Sequence, residues 1–141
     1  MKHFFLDTNI VLDLLGNREP HHLPAAQLFE YAERGAVTLY LSALSYNNLY
    51  YILKKSLATR DLVQVLSQLQ GLTRTLSMTD SMIESALASK FSDFEDALQY
   101  VAAQSEPTIQ AIVTRDRKGF KHSQIAVFSA EEAVAFVRTP S

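Results

Sequence analysis

His3-Phe4-Phe5-Leu6-Asp7-Thr8-Asn9-Ile10-Val11-Leu12-Asp13-Leu14-Leu15 runs a strand, an acid and a helix start together without a spacer. Phe4 to Leu6 is an apolar run too short for a helix, and it reads as a buried strand. Asp7 ends it, although β-propensity would not select a carboxylate there. Thr8 and Asn9 are helix-capping types, and Ile10, Val11, Leu14 and Leu15 then recur at helical spacing. In an open α/β sheet the carboxyl end of a strand opens into the crevice where ligands bind. An acid at that point can cap the helix that follows, hold a cation beside the helix's positive end, or activate a water. The residues leave these roles of Asp7 open.

The rest of the chain repeats the alternation. Gly16 to Pro24 is a loop by composition, with His21-His22 as solvated loop residues, and Pro24 opens a helix that ends at Gly35. Val37 to Leu41 reads as a second strand, and Ser42 caps a helix from Ala43 to about Ser56. Thr59 starts another helix, closed by Gly71; Leu72 to Met78 is a weak strand, and Thr79 or Asp80 caps the helix after it. Ser92, with Glu95 three residues on, has the spacing of a capping box for a helix carrying Ala97, Leu98, Val101 and Ala102. Strands at Ile109–Val113 and Ile125–Phe128 follow, and Ser129 caps a last helix. Strands alternating with helices predict a three-layer α/β/α sandwich with a mainly parallel central sheet, built as a single domain over residues 1–141.

Composition narrows the functions. At 141 residues the chain is long enough to bury a sizeable core. The absence of Cys excludes a disulfide framework, a Cys-based zinc site and a thiol nucleophile, and it fits a reducing, cytoplasmic setting. No apolar run approaches the ~18 residues of a membrane span, so no membrane role is expected. A formal net charge of −2 gives no global pull toward nucleic acid, so a polyanion site would have to be a local patch.

Three groups of acids gather at element ends: Asp7 after the first strand, Asp93 and Asp96 at a helix start, and Asp116 after Ile109–Val113. Asp93 is well explained as compensation of a helix dipole. Asp96 stands at the margin of a buried stripe, where a carboxylate is harder to account for. Carboxylates collected at one edge repel one another unless a cation joins them, and oxygen donors of this kind suit Mg²⁺ or Mn²⁺ rather than zinc. Such an ion could polarise a phosphodiester and generate hydroxide from water. Arg115, Arg117, Lys118, Lys121 and His122 put five basic or titratable residues in eight positions around Asp116, where they would meet nucleic-acid phosphates. His3 precedes a strand at the far edge and is no candidate.

Leu6-Asp7-Thr8-Asn9, the helix start Asp93-Phe94-Glu95-Asp96-Ala97-Leu98-Gln99, and Thr114-Arg115-Asp116 together give the chain a resemblance to the PIN domains. These are metal-dependent ribonucleases that include the VapC toxins of toxin–antitoxin modules. The resemblance spans nearly the whole chain. It implies Mg²⁺ or Mn²⁺ at Asp7, Asp96 and Asp116 as catalytic acids, with Asn9 and Thr114 as supporting polar residues and Asp93 as an additional acid. It also implies an RNA substrate, single-stranded or structured, an antitoxin protein as partner, and a homodimer. Helices Ala43–Ser56 and Thr59–Gln70, with Tyr46, Tyr50 and Tyr51, offer apolar and aromatic surface for pairing. One position departs from the family. The acid usual on the helix after the second strand is replaced by Asn48, which keeps a carbonyl oxygen but no charge. The site is therefore expected to hold one negative charge fewer than its relatives, and a glutamate at position 48 would be expected to tighten metal binding. Asn48 also motivates the alternative function, a degenerate PIN domain that binds RNA or a protein partner without cutting.

Overall fold

Period-two alternation along three central strands decides which side of the sheet each helix covers. The computed structural model describes residues 1–140. Strands β1 (Lys2–Leu6), β2 (Val37–Ser42), β3 (Arg74–Leu76), β4 (Ala111–Val113) and β5 (Ala126–Phe128) form one sheet in the order β3-β2-β1-β4-β5. Every pairing is parallel. The mainly parallel sheet expected from the sequence is thus wholly parallel.

Successive side chains on a strand point to opposite faces. Phe4, Leu6, Leu39, Leu41, Ala111 and Val113 accordingly enter one core cluster, beneath helices α1 (Thr8–Leu15), α2 (His22–Glu33), α3 (Ala43–Leu53), α4 (Thr59–Leu72) and α7 (Ala130–Val137). Phe5, Tyr40 and Ile112 enter the other, against Tyr100, Ala102 and Ala103 of α6 (Phe94–Gln104) and Phe120 of a 3-10 turn, Lys118–Phe120. Helix α5 (Asp80–Leu87) packs on α6 through Ala86. Phe4, Phe5 and Leu6 are all fully buried, so each contributes about 1.5–3 kcal/mol of apolar transfer.

Several element ends differ from the sequence-based expectation. Helix α2 begins at His22, placing Pro24 in its first turn, where a missing N–H costs nothing. Helix α4 runs through Gly71 to Leu72, because the stripe carrying buried Leu62 and Leu69 outweighs the ~1 kcal/mol a helical glycine costs. Helix α3 stops at Leu53, three residues early. Among the described residues, no helix is long and apolar enough to cross a membrane.

A candidate active site at the sheet's switch point

From β1 the chain passes through α1 and α2 to β2 on one side, whereas β4 lies on the other. Helix α1 packs on one face of the sheet and the 3-10 turn after β4 packs on the opposite face. The carboxyl ends of β1 and β4 therefore stand apart from both and open a crevice, as at any such reversal of strand order. Leu6 pairs with Val113, and the Asp7 amide donates to the Val113 carbonyl at 2.9 Å, so Asp7 and Thr114 emerge side by side.

Asp7 fills the first of the roles its sequence left open and faces the space in which the others would be played. It is the N-cap of α1, accepting from the Thr8 amide through Oδ1 at 2.8 Å. Its Oδ2 accepts from the Thr114 hydroxyl at 2.8 Å and from Asn9 Nδ2 at 3.2 Å, and it still lines the cleft. Burial pushes the Asp7 carboxyl up, against the pull of its bonds from Thr114 and Thr8.

Asp96 enters from α6. The cap of that helix is Asp93, whose Oδ1 accepts from the Asp96 amide at 3.0 Å; the sequence pattern had pointed to Ser92. Asp93 therefore sits before the helix and lines the adjoining groove with Asp96, Asp116, Lys118, Gly119 and Lys121. Asp116 lies beyond β4, its amide donating to the Thr114 hydroxyl at 3.0 Å and its Oδ1 accepting from the Gly119 amide at 3.0 Å. A Cβ placed on Gly119 would collide with Oδ2 of both Asp96 and Asp116, so the two carboxylates converge over a bare backbone. The cleft, of about 360 Å³, is lined by Asp7, Asn9, Asn48, Glu95, Asp96 and Asp116, among others.

Glu95 is the acid that sequence reasoning missed. A Ser92 cap would engage Glu95 in a capping box; with Asp93 as the cap, Glu95 is free to reach across to α3. There Asn48 Nδ2 donates to Glu95 Oε1 at 3.0 Å. Glu95 thus brings a carboxylate to the same cleft as Asn48, one residue before Asp96. The signal that could have found it was the doubling of acids in Glu95-Asp96 at a helix start.

Beneath the acids lies a buried polar network that sequence reasoning also missed. Gln99 Nε2 donates to Thr8 Oγ1 at 3.2 Å and to Ser45 Oγ at 3.0 Å, and Gln99 Oε1 accepts from Ser42 Oγ at 2.7 Å. Thr8 and Ser45 share a further bond at 2.9 Å. All four residues are buried, and the network ties α1, α3 and α6 together one turn below Asp96. Among the described residues no buried side-chain polar atom lacks a partner. Gln99→Leu would leave the Ser42 hydroxyl proton without its acceptor, at about 1–3 kcal/mol for a buried group left unsatisfied, and would remove one partner each from Thr8 and Ser45, which keep the bond between them. A fall of at least ~2 kcal/mol in unfolding free energy is expected in urea titrations.

The cations divide. Arg115 turns away from the cleft and grips buried Asp13 with two bonds, Nε to Oδ2 at 2.7 Å and Nη2 to Oδ1 at 3.0 Å. Arg117 pairs with Glu132. Lys118 and Lys121 remain beside Asp96 and Asp116 in the adjoining groove. His22 meets the Asp13 carbonyl at 3.2 Å, and His3 meets the Tyr40 hydroxyl at 2.9 Å on the sheet's other end.

Among the described residues, no three His, Asp or Glu side chains stand close enough to hold an ion as they are placed. The donor set nevertheless fits a hard divalent cation. It consists of oxygen, it is gathered over a cradle that a Cβ would fill, and it carries unbalanced charge. Burial first, then the charges of Asp7, Asp93, Asp116 and Glu95, push Asp96 up to about 7. Its value thus lies above the 3.8 of the unfolded chain, so between those values the folded state binds more protons. Asp96's contribution to stability is fully present below the unfolded value and is lost as pH climbs through about 7. In chelator, the melting temperature of the native chain relative to Asp96→Asn is expected to fall from pH 5 to pH 8. A flat difference would contradict this.

Fold and site together define a class: a parallel α/β protein with carboxylates collected at its switch point. The chain matches the PIN domain over residues 3–118 and belongs to the PIN domain family. It is 29% identical over 132 residues to Ribonuclease VapC1 of Aquifex aeolicus (strain VF5), spanning 91% of this chain and 90% of that protein. Among solved structures, it is similar to a toxin-antitoxin complex from Klebsiella pneumoniae, with a TM-score of 0.67 at 20% identity over 89% of this chain and 96% of that one. VapC20 of Mycobacterium tuberculosis, a Sarcin-Ricin loop cleaving toxin, superposes with a TM-score of 0.60 at 19% identity over 77% of this chain and 86% of that one. At those identities the two structures establish the fold alone.

Proposed function

We propose that this chain is a metal-dependent endoribonuclease and the toxin of a toxin–antitoxin module. The observation that carries the reading is the convergence of Asp7, Asp96 and Asp116 on one cleft of a PIN-family fold, with Lys118 and Lys121 in the groove beside it. The likeness to Ribonuclease VapC1 supplies the substrate class. Asp7, Asp96 and Asp116 would hold Mg²⁺ or Mn²⁺, and the bound ion supplies Lewis acidity at a phosphodiester and a lowered pKa for water. The protein's own share is positioning. Thr114 and Asn9 hold Asp7 through Oδ2, the Gly119 amide holds Asp116, and the Gln99 network fixes α6 and with it Asp96. Lys118 and Lys121 neutralise phosphates on the strand that enters the groove; they steer RNA without reading its sequence.

Partner binding belongs to the same reading. The groove between α3 and α4, lined by Ala43, Tyr46, Val63 and Leu66, offers apolar area to an antitoxin segment or a second copy of this chain. The deciding experiment incubates a labelled single-stranded RNA with the purified chain in Mn²⁺, in Mg²⁺ and in chelator. Cleavage restricted to the metal-containing samples is expected. RNA retained by the protein yet uncut in every sample would replace the reading with that of a binding module.

A further inference from the structure

We infer that Glu95, steered by Asn48, is the fourth carboxylate of the cation site, so that the site's charge is complete without an acid on α3. The inference rests on the proposed metal site and concerns a residue that the sequence motif left to helix capping.

Three observations carry it. Asn48 and Glu95 lie 47 residues apart on different helices, yet Asn48 Nδ2 reaches Glu95 Oε1 at 3.0 Å. Both side chains line the same cleft as Asp7, Asp96 and Asp116. Glu95 is free of the capping role, because Asp93 caps α6 through the Asp96 amide. A glutamate has three side-chain torsions and, on an exposed first turn, would sample many of them. A single amide donor from α3 selects those that turn the carboxylate inward. The choice of Asn at position 48 follows from this contact. Carboxylates at both positions would stand at hydrogen-bond distance without a proton donor between them, whereas an amide offers N–H to a carboxylate. Asn48 thus acts through Glu95 as a positioning residue.

The test measures Mn²⁺ affinity by titration calorimetry on the native chain and on Glu95→Gln, Asn48→Glu with Glu95→Gln, and Asp7→Asn. Glu95→Gln keeps shape and a hydrogen-bonding side chain but removes the charge, and it is expected to weaken Mn²⁺ binding about tenfold, ~1.4 kcal/mol. The double variant moves the carboxylate across the contact to α3 and is expected to recover most of that loss. Circular dichroism and melting curves of both should match the native chain, since Glu95 is exposed and outside the core. Native affinity in Glu95→Gln, with binding still lost in Asp7→Asn, overturns this inference and leaves the proposed function standing. Weakened binding in Glu95→Gln with no recovery in the double variant assigns Glu95 a merely structural role and also overturns it. If the native chain binds no Mn²⁺, or Asp7→Asn binds it as well as the native chain, the metal site itself is refuted and the inference falls with it.

Discussion

Asp7→Asn is expected to abolish metal-dependent RNA cleavage while leaving the fold as stable as before. The two halves of this expectation have separate causes. Asn is as good an N-cap as Asp, so the bond from the Thr8 amide survives. Its amide nitrogen then takes the place of Oδ2, so the Thr114 hydroxyl must turn to accept and the Asn9 amide loses that acceptor, a cost to set against the lost charge. Burial and the nearby Asp116 charge already hold the Asp7 carboxyl above its ordinary value, so removing the charge relieves the folded state rather than straining it. In chelator the variant should therefore melt close to the native temperature, relief of the buried charge offsetting the bonds lost at Oδ2. The functional cost is different in kind. A neutral amide is a weak donor for a hard divalent cation, and the charge lost is the most buried of the set. A drop on the order of a thousandfold in cleavage rate corresponds to about 4 kcal/mol of barrier. Single-turnover cleavage alongside thermal melts separates the two effects. Residual metal-dependent cutting within tenfold of the native rate would show that Asp7 serves only as a helix cap.

The same residue shows why so much of the architecture was legible in the sequence. Phe4-Phe5-Leu6 alternates onto both faces of the sheet, and only a strand buried on both sides accepts three apolar residues in succession. An acid and a helix start immediately after it locate the strand's carboxyl end. What was not legible depended on contacts between elements distant in the chain. Asn48 meets Glu95, Arg115 meets Asp13, and Gln99 meets Ser42, Ser45 and Thr8 across separations of 47, 102, 57, 54 and 91 residues. Arg115 illustrates the limit: a run of cations around an acid reads as a phosphate patch, and nothing local says that a buried aspartate on α1 engages one of them. The misplaced cap had the largest consequence. Ser92 and Asp93 are both good caps, one residue apart, and choosing between them decides whether Glu95 is spent on the helix or free for the cleft.

Gly119→Ala is expected to separate binding from folding as sharply. Gly119 lies in the 3-10 turn Lys118–Phe120 with no positive φ, so alanine is compatible with its backbone. Where the native conformation is allowed, replacing glycine by alanine raises stability by about 0.4–1 kcal/mol through the unfolded chain. The new methyl group would, however, occupy the point where Oδ2 of Asp96 and Oδ2 of Asp116 converge. Both oxygens are the far ends of side chains that can rotate, so the collision is relieved by turning the carboxylates, at the cost of the bond that Asp116 Oδ1 accepts from the Gly119 amide. The relief moves one or both carboxylates off the position they share, and a cation that needs several oxygens at once loses at least one of them. A weakening of Mn²⁺ binding by tenfold or more, about 1.4 kcal/mol, is therefore expected with a melting temperature in chelator close to the native one. Cleavage of RNA at subsaturating Mn²⁺ should fall by at least the same factor and recover in part at high Mn²⁺. An alanine variant that folds and binds Mn²⁺ with native affinity would show that Asp96 and Asp116 do not act from the positions they hold over Gly119.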